Sequence, residues 1–248
     1  MKFLNSTAPA IRALDRQQTL VVFPTAAVEQ HGPHLPCGTD TLISDAIADA
    51  VESRAADRVL RLPTQWIGAS AHHRRLGATL DSELPTYIQL LCQTLQPLLE
   101  MGFCRFLILN GHGGNIDPMR VAVRQLQSQW PDRLLAAASY WSIAESVIAD
   151  HLTGEDKAVG HACEAETALI LHLRPELVDT AAVESAMGWK PDAVEGMFIC
   201  RDMKQRTAAG ATGRPDLATA EQGRQMFEGI VDRVSVAADR LLAEPLPS

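Results

Sequence analysis

The 248-residue chain lacks the marks of several broad protein classes. No stretch approaches the ~20 consecutive apolar residues needed to span a bilayer. The opening run Met1-Lys2-Phe3-Leu4-Asn5-Ser6-Thr7 has no long apolar core of the secretory kind. Neither membrane insertion nor secretion is therefore expected, and a cytoplasmic location is. Cysteine is sparse and scattered: Cys37, Cys92, Cys104, Cys163 and Cys200 are five in number, with no CxxC pair. That pattern argues against a disulfide framework and a thiolate zinc site, and suits reduced thiols. Basic charge is also short, with 22 Lys+Arg against 30 Asp+Glu and a net charge of -8. Such a surface repels a phosphate backbone, so no nucleic-acid partner is expected. With no repeat, low-complexity tract, charge block or Gly/Ser linker, residues 1–248 are expected to form a single domain.

An apolar content of 46% is ample for a buried core. Leu20 to Phe23, Val59 to Leu62, Phe106 to Leu109 and Leu134 to Ala138 are short apolar runs bounded by turn residues, as in strands buried on both faces. Helical patterns lie between and after them, over Leu42 to Val51, Leu84 to Met101, Pro118 to Trp130, Ala162 to Leu173 and Ala218 to Leu242. The alternation predicts an α/β layered fold with a parallel sheet. Asp117-Pro118 reads as an N-cap followed by proline at the first helical position, and Met101-Gly102 as a glycine stop. In such sheets ligands gather beyond the carboxyl ends of the strands, where this chain places its densest polar signatures.

The first signature, Glu29-Gln30-His31-Gly32-Pro33-His34-Leu35-Pro36-Cys37-Gly38-Thr39-Asp40, follows the first strand. Glu29 and His31 are two apart, which in extended backbone sends both side chains to one side, where a carboxylate and an imidazole can converge on metal ions. Asp40, at the mouth of the next helix, has two oxygens with which to bridge two cations, although aspartate is also a common helix N-cap. His34 reads either as a pocket residue or as a loop histidine satisfied by backbone. The second signature, Asn110-Gly111-His112-Gly113-Gly114-Asn115, follows the third strand. His112 supplies another nitrogen, and the amides around Gly113 and Gly114 can face a developing negative charge. Neither GxGxxG nor a GK[ST] ending is present, which disfavours a phosphate loop. The third signature, His161-Ala162-Cys163-Glu164-Ala165-Glu166-Thr167, opens a helix, so His161 and Glu164, three apart, are expected to share a face, with Glu166 pointing elsewhere. His73 and Trp141 are candidates for the pocket wall. Neither Cys37 nor Cys163 has the neighbours of a nucleophile.

Taken together and in order, these motifs resemble the creatininase (creatinine amidohydrolase) family, from about Leu20 to the run Gly210-Ala211-Thr212-Gly213-Arg214-Pro215-Asp216-Leu217-Ala218. The resemblance implies a three-layer αβα sandwich with a mostly parallel central sheet and a homo-oligomer, commonly a hexamer. It also implies two divalent metal ions (zinc, manganese or iron) acting on a small-molecule amide substrate. Glu29, Asp40 and His112 would hold one ion, and His31 with the bridging Asp40 the other. In creatininase the remaining carboxylate stands where this chain has Gly114. Relatives with the same glycine loop carry a glutamate in the later cluster, so Glu164 is expected to be the missing ligand, or else a general base. The Leu76-Gly77-Ala78-Thr79 run also departs from the family's usual phenylalanine-proline-glycine-threonine.

The implied reaction is hydrolysis of a C–N amide bond, cyclic amide or formamide, by water activated between two cations. His161 is expected to protonate the leaving nitrogen, with metal orientation as its alternative role. Trp141 is expected to cover the site, as a matching tryptophan does in creatininase. Because glycine-loop relatives include a deformylase and a peptide-trimming maturase, trimming of a small precursor peptide is the second functional reading.

Overall fold

The first long strand, β1 (Leu20–Thr25), is buried along its whole length, because both faces of the sheet are covered. In the computed structural model, which describes residues 1–155, 157–183, 194 and 196–247, a short helix α1 (Ala8–Arg12) precedes this strand. The chain then alternates through α2 (Thr39–Arg54), β2 (Val59–Arg61), α3 (Leu84–Glu100), β3 (Arg105–Asn110), α4 (Ile116–Gln129) and β4 (Leu134–Ser139). Helices follow: α5 (Tyr140–Ile143), α6 (Glu145–His151), α7 (Glu164–Leu173), α8 (Met203–Arg206) and α9 (Ala220–Ala243). The four strands are parallel in the order β2-β1-β3-β4. Leu20 lies beside Arg105 and Thr25 beside Asn110, so β1 and β3 end level with each other.

Alternate residues of each central strand feed two cores. Leu20 and Val22 of β1, with Leu107 and Leu109 of β3, pack against α2, α5, α6, α7 and α9. Val21 and Phe23, with Phe106 and Ile108, pack against α3 and α4. The result is the expected three-layer αβα sandwich with a parallel sheet. Each fully buried leucine, isoleucine or phenylalanine contributes roughly 1.5–3 kcal/mol, so the apolar residues on both faces of the sheet are stabilised only with both helical layers in place. No helix among the described residues is long and apolar enough to cross a membrane.

Where helix ends differ from the sequence expectation, local chemistry gives the reason. α4 begins at Ile116 rather than Pro118, because a 3-10 turn over Gly113–Asn115 runs straight into it. Its capping position is Asn115, whose amide is occupied with Ala69 N at 2.9 Å and Ala26 O at 3.0 Å, so Asp117 is a first-turn residue and not the cap. Proline is tolerated there because first-turn amides have no intrahelical acceptor. α9 starts at Ala220 behind a capping box of Thr219 and Gln222. Gly102 adopts φ +93 after α3, the expected glycine stop.

The tightest helix contact is between α7 and α9, where a Cβ on Gly223 would lie 1.8 Å from Ala168 O. That neighbour is backbone and cannot rotate away. Gly223→Ala is therefore expected to cost roughly 1–3 kcal/mol and to lower the melting temperature by several degrees, checked by thermal denaturation. An unchanged melting temperature would show that α9 is not seated as described.

Candidate metal centre

The site lies at the carboxyl ends of β1 and β3. Leaving β1, the chain folds into a loop closed by Glu29 N donating to Cys37 O at 2.9 Å. His31 Nδ1 donates to Glu29 O at 3.0 Å, which turns Nε2 inward, 2.9 Å from Asp40 Oδ1. Asp40 sits in the first turn of α2. It is not the N-cap, which is Gly38 with no side-chain cap, so its carboxylate is free to face the centre.

The glycine loop is fastened just as firmly. Asn110 accepts from His112 N at 3.1 Å and donates to His112 O at 2.7 Å and Ser139 Oγ at 3.0 Å. His112 Nε2 lies 3.3 Å from both Ala69 O and Ser70 Oγ, leaving Nδ1 inward, 3.0 Å from Asp40 Oδ2 and 3.3 Å from Glu29 Oε1. Gly114 is required here: a Cβ on it would fall 2.1 Å from Ala69 O and 2.6 Å from His112 Nε2. No loop side chain can therefore stand at this position without moving His112.

Three groups of ligand atoms result: Glu29, Asp40 and His112; His31, Asp40 and Glu166; and Glu29, His31 and His161. Because His31 has one lone pair left, the last two groups compete for it and cannot both be filled through His31. Both Glu29 oxygens, Asp40 Oδ2 and Glu166 Oε2 are buried without a hydrogen bond, although histidine nitrogens lie close to Glu29 and Asp40. Nitrogen and oxygen lone pairs that approach to 3.0–3.3 Å out of hydrogen-bond alignment suit a shared cation.

The electrostatics agree. Burial works to lower the His31 pKa, but the Asp40 carboxylate outweighs it and holds the ring up at about 10. Burial likewise opposes the charge of His112, and Glu29 and Asp40 overcome it, raising the ring well above its ordinary value. Glu166 is pushed up to about 7, first by burial and then by Asp40, against the favourable His31. His161 is held well below its ordinary value, first by burial and then by His31, so its ring is neutral.

Glu29, His31, Asp40 and His112 thus converge as the sequence suggested, and His73 joins them, with Nε2 3.1 Å from Glu29 Oε1. Glu164 does not. Its oxygens accept from Thr153 N and Gly154 N at 2.8 and 3.0 Å, from Thr153 Oγ1 and from Gln222 Nε2, a structural clamp. The expected shared face of His161 and Glu164 fails because Ala162 has φ +49 and α7 begins only at Glu164. The acid that faces the centre is instead Glu166, expected to point elsewhere. Helical periodicity gave no warning, since Glu164 to Ile170 are all buried.

The remaining candidates divide. His34 bonds through Nε2 to Thr167 Oγ1 at 2.9 Å and so ties the first loop to α7 rather than lining the centre. Gly113 and Gly114 form the turn beside His112. Trp141, edge-on to Tyr140, lines a cavity of about 220 Å³ with Glu145, Ile148, Lys157 and Val159, on the segment that runs into His161. Gln30, bonded to both His73 and His161, carries a role that motif spacing did not mark.

His34 is held down to about 4 by burial and by the nearby His31. The unfolded chain thus takes up this proton first, so the contribution to stability is full above pH 6.5 and lost as the pH falls through about 4. His34→Gln should flatten the fall in unfolding free energy over that window in denaturant titrations. An identical slope would mean that the folded protein protonates His34 freely.

The family model described as "Creatininase: Creatinine amidohydrolase" matches residues 4–238. The chain is 31% identical over 225 residues to the mycofactocin precursor peptide peptidase of Mycobacterium ulcerans (strain Agy99), covering 86% of this chain and 81% of that one. It superposes on a structure described as a putative creatinine amidohydrolase from Bacteroides fragilis with TM-score 0.82 and 27% identity, covering 98% and 97% of the two chains. A manganese creatininase and a Zn-Zn type creatininase mutant, both 22% identical, share the fold with TM-scores of 0.80 and 0.81 and cover 96% of this chain and 97% of theirs. By its match along nearly the whole length and by its fold, the chain belongs to the creatininase family of hydrolases.

Proposed function

We propose that this protein hydrolyses an amide C–N bond with two divalent cations, one held by Glu29, Asp40 and His112 and the other by His31, Asp40 and Glu166. The observation that carries this reading is the set of buried carboxylate oxygens at Glu29, Asp40 and Glu166 without hydrogen-bond donors, packed among inward-facing histidine nitrogens. Asp40 serves both groups through separate oxygens, Oδ1 beside His31 and Oδ2 beside His112. A donor set of nitrogen and oxygen without thiolate suits zinc, manganese or iron. Two cations held by these residues would supply a lowered pKa for bound water and a polarised substrate carbonyl.

The chain's own groups then manage protons and position. His161 Nε2 donates to Gln30 O at 2.8 Å, and Nδ1 lies 3.6 Å from Glu29 Oε1. Neutral and open at Nδ1, His161 takes a proton at that atom as water attacks and returns it to the leaving nitrogen. The amides of Gly113 and Gly114, in the turn that follows His112, are the groups assigned to meet an oxyanion. A peptide bond is the leading substrate, supported by the 31% identity to a precursor peptide peptidase. A small cyclic amide, supported by the family description, is the second reading.

Metal analysis of the purified protein should give two ions per chain. Asp40→Ala should lose both, because the bridge is shared, and Glu166→Gln should lose one. Glu164→Gln should keep both, since Glu164 only clamps the preceding loop. Loss of an ion in Glu164→Gln with two retained in Glu166→Gln would reverse the assignment. His161→Ala should retain the metals and lose about 10²-fold or more in turnover, scored on precursor-like peptides, creatinine and formamides side by side. Turnover of creatinine with none of any peptide would decide for the cyclic amide. Absence of bound metal from a protein that hydrolyses these substrates would end the proposal.

A further inference from the structure

The buried amide of Gln30 has a hydrogen-bond direction that can be read without ambiguity. Gly32 N lies 3.1 Å from Gln30 Oε1, and because a backbone N–H only donates, that atom is the amide oxygen. The opposite end, Nε2, therefore carries the hydrogens and lies 2.9 Å from His73 Nδ1. His73 Nδ1 must accept, which leaves the ring hydrogen of neutral His73 on Nε2, the atom 3.1 Å from Glu29 Oε1. The main-chain carbonyl of the same residue takes the second histidine. His161 Nε2 has two neighbours on Gln30, the main-chain O at 2.8 Å, which only accepts, and the side-chain Nε2 at 3.1 Å, which only donates; the shorter approach to the carbonyl places the His161 hydrogen on Nε2 and leaves a lone pair on Nδ1. That lone pair is 3.6 Å from the same Glu29 oxygen.

One residue thus gives two histidines opposite polarity at a single carboxylate oxygen. The closing loop is shaped to admit it: Gly210 has φ +81, and a Cβ there would lie 2.1 Å from Gln30 Oε1. Without the amide, His73 Nε2 is a competent ligand nitrogen at the edge of a cation-binding cluster. We infer that Gln30 is a positioning residue that keeps the ring hydrogen of His73 on Nε2, the atom turned toward Glu29, and so holds His73 outside the metal-ligand set, while leaving His161 Nδ1 open to the substrate. This rests on the metal-hydrolase reading for its consequence, but the hydrogen positions can be observed independently of it.

The test is solid-state 15N NMR of the full-length protein, loaded with zinc and labelled at histidine nitrogens, with His73 assigned by difference against His73→Gln. The wild type should show His73 protonated at Nε2 and bare at Nδ1, and His161 protonated at Nε2. In Gln30→Glu the residue at 30 can only accept, so the His73 Nδ1 signal should move to the protonated range. Gln30→Leu should leave His73 with a mixture of both forms. A His73 that is protonated at Nδ1 in the wild type, bound to zinc through Nε2, or unmoved in Gln30→Glu overturns the inference. The wild-type spectrum decides alone if a variant does not fold. Zinc counting on the same samples separates the two readings: expected ring hydrogens in a protein that binds no zinc would sink the metal centre and leave the Gln30 assignment standing.

Discussion

The structure depends on holding three carboxylates, Glu29, Asp40 and Glu166, close together where water does not reach. An isolated buried carboxylate costs several kcal/mol even after relaxation, and three in one place repel one another as well. Two of them lie in the first turns of helices, Asp40 in α2 and Glu166 in α7. A helix N-terminus is worth only about 0.3–1 kcal/mol to an anion, too little to offset such burial. The balance is met by positive charge on the raised His31 and His112 rings and by the upward shift of Glu166, which eases a proton onto that carboxyl.

That demand explains why the surrounding polar residues are spent on orientation and not on neutralising charge. The side chains of Asn110, Asn115 and Ser70 bond backbone, hydroxyl or the outward nitrogen of His112, and each fixes a loop or a ring. Once each ring is fixed, every ligand atom has a single direction available. The parallel sheet makes this possible, because β1 and β3 end in register and deliver their following loops to the same point.

Much of this was legible in the sequence. Four apolar runs marked the four strands, and the four side chains singled out after two of them, Glu29, His31, Asp40 and His112, do meet at one place. The choice between Glu164 and Glu166 was not legible. It turns on where α7 begins, and that depends on Ala162 taking a left-handed conformation which an alanine does not advertise. A helix buried on all sides has no polar face from which to count. The start of α4 failed for a related reason: the asparagine that would have signalled a cap is occupied elsewhere, and a proline in the first turn marks the region but not the residue. Gln30 escaped because a single amide between two motif residues has no periodicity at all.

The late segment closes the argument, since it is distant in sequence and yet shapes the reactive end of the site. His161 N donates to Thr212 Oγ1 at 2.9 Å, and Thr212 N returns to His161 O at 2.8 Å. Gly210 makes room for the Gln30 amide in the same loop. Glu164 clamps the other side of the His161 segment to Thr153 and to Gln222 of α9. His161 is therefore held from two directions by residues that never approach the ligand set, while its ring is aimed by a third. A ring held this way presents one nitrogen and hides the other, which is the constraint the proposed proton transfer at His161 requires. The Gly210 to Ala218 run thus acts through Thr212 and Gly210 on the placement of His161 and Gln30.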